Sequence, residues 1–273
     1  MAAIRPIEIV RPGHGSGPFN HVISDEAIQD RLKPFVYLDH FDAETSGRWG
    51  FPYHPHSGVA TFTYTQTADL EHEDTGGNGG TVPQGSVQWM AAGGGLWHQE
   101  YYHPKQGRVA GLQLWLMLPP ELENGPVAYQ HAVSDELPVI GTTRILAGTF
   151  EGTSSPISTP LPFNYFDITL AGGDSWCFEP PAEHTVVWAY AYDSAVVANG
   201  QEIAARQLIV FGEQGRLEFR AAGDCRFVVG TAPPFVHSLV RARGSIHTSK
   251  AALEKGRERI AEIGEELRRA GKL

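Results

Sequence analysis

The stretch FPYHPHSGVATFTYT, residues 51–65, places two histidines one residue apart at the start of a run rich in Val, Thr, Phe and Tyr. Such a run predicts a β-strand, in which residues i and i+2 point to the same face. We therefore expect His54 and His56 to project side by side, with Pro55 stiffening the backbone between them. Taken alone, the pair is compatible with a metal site and with two polar residues that cap a strand.

Similar runs continue along most of the chain. Short segments that alternate in polarity, or are rich in Val, Thr, Phe and Tyr, recur from residue 4 to roughly residue 240, including VAGLQLWLML, FDITLA, TVVWAYAY and CRFVVG. Glycine-containing turns such as GGNGG, AAGGG and LAGGD separate them. The 31 glycines and 19 prolines also favour many short strands. The sequence predicts an all-β fold of the sandwich or barrel type.

The last stretch, HTSKAALEKGRERIAEIGEELRRAGKL, has a helical period instead. Its apolar residues recur at a spacing of seven, at Leu253, Ile260 and Leu267. Thr248 or Ser249 is the expected N-cap, and Gly271 the expected stop. A C-terminal helix packed on the β-structure is the main prediction, and a helix that binds a partner is the alternative.

The two halves of the chain resemble each other weakly. TVPQGSVQWM and TLAGGDSWCFEPP each place a glycine-containing turn before an apolar run, which suggests two copies of one unit. We predict two tandem antiparallel β-barrels, with domains at residues 1–130 and 131–273 and a boundary near ELENGPVAYQHAVSDE. Because no HxH pair recurs in the second copy, a metal site is expected in the first, and the second is expected to be metal-free.

Charge and composition narrow the partners. The formal net charge of −10 argues against direct binding of nucleic acid or an anionic membrane. No run approaches the about 20 apolar residues of a membrane span, and no signal peptide is evident at the N-terminus, so we predict a cytoplasmic protein. Cys177 and Cys225 lie outside any CxxC pattern and are expected to be small buried residues rather than a disulfide.

A second polar pair follows in GGGLWHQEYYH, where His98 and Glu100 again have i, i+2 spacing. If the two pairs lie on facing strands, they supply three imidazole nitrogens and one carboxylate. That set suits a redox-capable transition metal with open positions, rather than calcium or a closed zinc site. Among the 12 histidines, others such as His14, His40 and His72 are expected to be structural or solvent-facing.

Four segments in order, PFVYLDHFD, FPYHPHSG, EHEDTGGNGGTVPQGSVQWMAAGGGLWHQE and GLQLWLMLPP, closely resemble the N-terminal signature of the pirin family in the cupin superfamily. The resemblance implies a bicupin with one metal-binding barrel. Residue by residue, it implies the ligands His54, His56, His98 and Glu100. The implied ion is iron(II), with manganese, nickel, copper, cobalt and zinc as alternatives.

The chain departs from the family pattern beside the first pair. The family usually reads HPHRGFET, whereas this chain reads HPHSGVAT, with Ser57 in place of an arginine and Ala60 in place of a glutamate. We expect Glu100 to supply the carboxylate. The departures predict that the surroundings of the ligands and the substrate preference differ from those usual in the family.

The resemblance implies a quercetinase-type dioxygenase that cleaves a flavonol or related phenolic with dioxygen. Glu100 is the expected base as well as a ligand, and Phe51, Trp97 and Gln113 are expected to contact the small aromatic substrate. The alternative is a non-enzymatic, metal-sensing or redox-sensing regulator that binds a protein partner. A third interpretation is a degenerate cupin that binds no metal, but the retention of all four ligands argues against it.

Overall fold

The computed structural model describes residues 3–15 and 17–273. Its helices are α1 (Glu26–Leu32) and α2 (Lys250–Arg269). Its strands are β1 Ile7–Pro12, β2 Phe19–Ile23, β3 Phe35–Glu44, β4 Trp49–His56, β5 Val59–Thr65, β6 Ala68–Asp74, β7 Gly79–Val82, β8 Val87–Ala91, β9 Leu96–Pro104, β10 Arg108–Met117, β11 Ala128–Ala132, β12 Val139–Ile140, β13 Thr143–Ala147, β14 Thr149–Phe150, β15 Thr153–Ser154, β16 Asn164–Leu170, β17 Ser175–Phe178, β18 Val186–Ala191, β19 Val196–Ala198, β20 Gln201–Ile203, β21 Gln207–Phe211, β22 Leu217–Arg220, β23 Cys225–Ala232, β24 Val240–Ala242 and β25 Ser245–His247. The predicted all-β class with a C-terminal helix is confirmed.

The chain forms two compact units. The first comprises Met1–Lys33 and Asp135–Phe235, and the second, which we call the histidine unit, comprises Pro34–Ser134 and Val236–Leu273. The chain passes from the histidine unit to the first unit between Ser134 and Asp135, inside the predicted boundary segment. The N-terminal segment nevertheless belongs to the first unit and the C-terminal segment to the histidine unit, so neither unit is one continuous stretch of chain. The division into domains 1–130 and 131–273 stays a prediction.

The histidine unit is built from two antiparallel sheets and a hairpin. One sheet contains the order β11-β8-β5-β10-β3, the other has the order β4-β9-β6-β7, and β24 pairs with β25. Every residue of β5 is buried, because this strand is covered on both faces. On it, Phe62 packs against Trp89 of β8 with ring centroids 6.3 Å apart, so Trp89 is a core residue.

The first unit has a seven-stranded sheet, β1-β21-β18-β23-β16-β13-β12, and a four-stranded sheet, β17-β22-β19-β20. Aromatic rings fill its core: Phe219 stacks on Phe227 with centroids 4.3 Å apart, and Trp176 lies 5.8 Å from Phe219. These contacts account for the apolar alternation of its strands. That this unit is metal-free stays a prediction.

The C-terminal helix begins and ends where the sequence predicts. The Ser249 side chain accepts a hydrogen bond from the Ala252 amide at 3.2 Å, which satisfies one of the free amides of the first turn. The residues buried along α2 include Leu253, Ile263 and Leu267. Gly271 follows the helix with a φ of +69°. The predicted packing of an amphipathic helix is therefore confirmed.

The two cysteines are both free, and one of them differs in burial from the expectation. Cys225 is buried, but Cys177 is exposed. The expected burial of Cys177 is wrong because side chains alternate along β17, where Trp176 takes the inward position. In the part of the chain that the structure describes, no helix is both long enough and apolar enough to cross a membrane.

Candidate metal centre

Pairing of β4 with β9 brings the two predicted pairs together. In the antiparallel register His54 lies opposite His98, and Phe51 lies opposite Glu100, with an irregularity in β4 between those two positions. On the other side of β9, strand β6 places His72 opposite Glu100. Strand β9 therefore lies between β4 and β6, with His98 opposite His54 of β4 and Glu100 opposite His72 of β6.

Three imidazoles form the centre of the cluster. The ring centroid of His54 lies 4.3 Å from that of His98 and 5.0 Å from that of His56, and His56 and His98 are also 5.0 Å apart. One nitrogen from each ring lies within 4.8 Å of the others. Three nitrogens at this separation can reach one divalent ion.

Backbone carbonyls determine which nitrogen two of these rings present. His54 Nδ1 lies 2.9 Å from the Pro52 carbonyl oxygen, and His56 Nδ1 lies 2.8 Å from the Gly244 carbonyl oxygen. A carbonyl only accepts, so Nδ1–H must be the donor in both rings. In the neutral rings, each Nε2 keeps its lone pair, which is the arrangement that a metal-binding histidine needs.

His98 carries the strongest sign that an ion fits this site. The side chain is fully buried, and both ring nitrogens lack a hydrogen-bond partner within the described residues. Burial and the neighbouring charges of His56, His54 and His72 hold the pKa of His98 well below its usual value. Burial, then repulsion from His54, lowers the pKa of His56 to about 3, while its bond to Gly244 opposes the shift. At neutral pH both rings are uncharged and have lone pairs to offer a metal.

Glu100 lies beside His98. Its Oε2 accepts a hydrogen bond from Gln113 Nε2 at 3.1 Å, and its Oε1 lies 3.7 Å from His98 Nδ1. Glu100, His98 and His72 form a second group whose ligand atoms lie within 4.8 Å of one another. The structure thus brings the three imidazoles together and sets the carboxylate at their edge. The full set of four ligands stays a prediction.

His72, which is expected from the sequence to be structural or solvent-facing, lies beside the candidate ligands His98 and Glu100. It is buried, its ring stacks on Tyr129 with centroids 5.1 Å apart, and its Nε2 lies 3.2 Å from Asp74 Oδ2. The signal was present, because His72 and Asp74 have the same i, i+2 spacing as His98 and Glu100. Only the register between β6 and β9 shows that this pair lies next to Glu100.

Half-buried aromatic rings edge the cluster. Phe51 lies 5.9 Å from His54, and Trp115 lies 4.7 Å from His56, measured between ring centroids. Tyr37 in turn lies 4.5 Å from Trp115. Gln113 also touches Glu100, so Phe51 and Gln113 both lie near the centre, and their contact with a substrate stays a prediction. Sequence reasoning missed Trp115, although it shares the face of β10 with Gln113.

Trp97 is placed elsewhere. It lies between Leu96 and His98 on β9, so its side chain points to the opposite face from His98. Its indole Nε1–H donates a hydrogen bond of 2.8 Å to the Ile260 carbonyl of α2. The structure does not bring Trp97 to the histidines, in contrast to Phe51 and Gln113.

The low histidine pKa values predict acid sensitivity of the metal-free protein. Unfolding restores an ordinary pKa near 6.5, so below that pH the unfolded chain binds more protons and stability falls as the pH falls towards about 3. At pH 5, His56 alone should cost about 2 kcal/mol of unfolding free energy relative to pH 7.5. His98 acts in the same direction. Urea unfolding of chelator-treated protein at both pH values measures the change.

A double variant, His56→Gln with His98→Gln, should lose most of this pH dependence. The exposed His103, which pairs with Glu71 at 2.7 Å, provides the control variant His103→Gln, in which the dependence should persist. An unchanged pH dependence in the double variant would contradict the assignment to these two rings.

The fold and the histidine cluster together define a cupin-type protein with a candidate metal centre. The family model for pirin matches residues 18–116. A pirin-like protein of Caulobacter vibrioides is 31% identical over 210 residues, which cover 74% of this chain and 76% of that protein. The chain therefore belongs to the pirin family.

Solved structures show the same fold. The structure of quercetin 2,3-dioxygenase from Acinetobacter baumannii has a TM-score of 0.86 at 24% identity, and the match covers 94% of this chain and 96% of that one. A bacterial pirin from Escherichia coli in complex with nickel(II) has a TM-score of 0.66 at 21% identity, covering 86% and 100%. At these identities the likeness establishes the cupin fold.

Proposed function

We propose that this protein is a metal-dependent dioxygenase that cleaves quercetin or a related phenolic compound. The observation that carries the proposal is the cluster of three imidazoles, with a buried carboxylate at its edge and aromatic rings around it. The likeness to the quercetin 2,3-dioxygenase of Acinetobacter baumannii supports the choice of a flavonol as the first substrate to test.

His54, His56, His98 and Glu100 would hold one divalent transition metal, with iron(II) the expected ion and nickel, manganese, copper, cobalt or zinc as alternatives. When bound, such an ion would supply a positive charge that lowers the pKa of a ligating hydroxyl, and every ion of this set except zinc would also supply a redox-capable centre for the reaction with dioxygen. The ring nitrogens of His98, which have no hydrogen-bond partner in residues 3–15 and 17–273, and the carbonyl-fixed tautomers of His54 and His56 fit this assignment.

Glu100 is the residue suited to accept the proton of the substrate hydroxyl. Gln113 holds one carboxylate oxygen by a hydrogen bond, which leaves Oε1 for the proton. Because Glu100 is buried, water competes little for it. The base is thus pre-positioned at the edge of the imidazole cluster.

The approach for a flat substrate lies on the side of His54. His54 is half-buried, whereas His56 and His98 are buried, so this ring marks the accessible side of the cluster. Phe51 beside His54 and Trp115 beside His56 offer ring faces and edges for stacking. We therefore assign Phe51 and Gln113 to substrate contact and add Trp115, while Trp97 has no part in this arrangement.

The test is oxygen uptake on quercetin by protein that has been stripped and reloaded with iron(II) or nickel(II). Cleavage should consume one dioxygen per carbon monoxide released, because both oxygen atoms enter the product as the ring carbon leaves. Uptake that follows the loaded metal supports the proposal. Stoichiometric metal without turnover would count against flavonol cleavage and favour a regulator with a protein partner. Protein that takes up no metal would refute the site.

A further inference from the structure

A hairpin far along the chain touches one of the candidate ligands. His56 Nδ1–H donates to the carbonyl oxygen of Gly244 at 2.8 Å, across 188 positions of sequence. Gly244 lies in the turn between β24 and β25, and α2 follows directly. We call β24, β25 and α2 the C-terminal clamp.

Only glycine fits at position 244. Its φ is +73°, a conformation that side chains disfavour. A Cβ built there would lie 2.7 Å from the Pro55 carbonyl oxygen and 3.5 Å from His56 Nδ1. Any side chain would therefore push the turn away from β4 and lengthen the hydrogen bond that orients His56.

Ser57 fastens the clamp beside this contact. Its Oγ lies 3.0 Å from Ser245 Oγ and 2.9 Å from His247 Nε2, and its carbonyl accepts from the Ile246 amide at 3.3 Å. The Ser57, Ser245 and His247 side chains are buried. Hydrogen bonds among buried polar groups are costly to break singly, so the turn is held firmly against β4.

The departure from the family pattern at Ser57 now has a physical reason. Helix α2 packs so closely here that a Cβ on Gly256 would lie 2.5 Å from Ser57 Oγ and 2.7 Å from His247 Nε2. The longer side chain of arginine has no room under this helix. Serine fills the position and bonds to the clamp.

Glu123 anchors the same network from the other side. Its Oε2 lies 3.4 Å from His247 Nδ1 and accepts the Thr248 amide at 2.6 Å, while Oε1 accepts the Thr248 hydroxyl at 2.7 Å. His247 thus lies between Ser57 and a carboxylate that also binds the residue before the helix cap. Ser245 and His247 are the two ends of β25, so their bonds hold the preceding turn residue Gly244 in place.

We propose that Gly244, held by the Ser57–Ser245–His247 network, is a positioning residue for the metal centre. Its carbonyl fixes the tautomer and ring orientation of His56, so metal affinity depends on docking of the C-terminal clamp. By linkage, a bound metal stabilises that docking by the same factor. The inference rests on the metal site proposed above.

The test compares nickel(II) affinity, by chelator competition, in wild-type protein, Gly244→Ala and Gly107→Ala. Gly107 has a φ of +70° with nothing within 4 Å of a built Cβ, so it matches the backbone strain without the contact. We expect affinity to fall about 10–100-fold in Gly244→Ala and less than about twofold in Gly107→Ala. If Gly244→Ala does not fold, Ser245→Ala removes one bond of the network that holds Gly244 and should weaken nickel binding by more than the about twofold allowed for Gly107→Ala, and wild-type affinity in folded Ser245→Ala would overturn the inference.

Hydrogen exchange of the Ile246 amide supplies the reciprocal readout. Nickel should slow this exchange in wild-type protein and slow it less in Gly244→Ala. Equal nickel affinity in wild-type protein and Gly244→Ala, or equal losses in the two glycine variants, would overturn the inference alone. Wild-type protein that binds no nickel would overturn the metal site and the inference with it.

Discussion

Replacing His98 with alanine should abolish stoichiometric metal binding. This ring lies 4.3 Å from His54 and 5.0 Å from His56 between centroids, and its Nδ1 is 3.7 Å from Glu100. Loss of a residue that only orients a ligand typically costs 10–100-fold in affinity, so loss of the central ligand should cost at least about 100-fold. Plasma mass spectrometry after dialysis, with chelator competition, measures the loss.

His103→Ala is the matched control, because His103 lies on the same strand, is exposed and pairs with Glu71 at 2.7 Å. It should keep wild-type affinity. The His98→Ala variant should still fold, since the ring that it removes has no hydrogen-bond partner among the described residues, so no such partner is left unpaired. Full metal content in His98→Ala would remove this residue from the ligand set.

Glu100→Gln should separate metal binding from turnover. Glutamine keeps the shape of the side chain, and its carbonyl can still accept the bond from Gln113, but it cannot take a proton from the substrate. General-base catalysis typically contributes about 10²–10⁴-fold, so kcat for oxygen uptake on quercetin should fall within that range. Uptake is measured at equal metal occupancy, so that weaker binding of the ion does not enter the comparison.

Glu71→Gln gives the matched control, because Glu71 is an exposed carboxylate on β6 that pairs with His103. Its uptake rate should equal that of wild-type protein. Undiminished uptake in Glu100→Gln would rule out Glu100 as the base, while leaving the three imidazoles as ligands untouched. Loss of uptake together with complete loss of metal would show that the carboxylate acts as a ligand first.

The part of the site that follows from local spacing was predictable from sequence. His54 with His56, and His98 with Glu100, each lie two residues apart on a strand, and the period of a strand sets both members on one face. Strand pairing then places His54 opposite His98. The all-β class followed from the same two-residue period of strands. The C-terminal helix followed from the seven-residue spacing of its apolar residues.

What depends on register or on distant chain segments was not predictable. His72 reaches the cluster only because β6 pairs with β9 in one register. Trp97 adjoins the candidate ligand His98 in sequence but faces α2, since neighbours on a strand point in opposite directions. Ser57 appeared as an unexplained departure, because its partners Ser245 and His247 come from the far end of the chain.

The contact between His56 and Gly244 also sets an order of events during synthesis. The histidine unit combines residues 34–134 with residues 236–273, so about 100 residues of the other unit are made in between. While the ribosome is still adding those residues, His54, His56, His98 and Glu100 already exist but the carbonyl that orients His56 does not. A nascent chain thus holds its candidate ligands without their final arrangement, and the proposed metal site is complete only once Gly244 has been added.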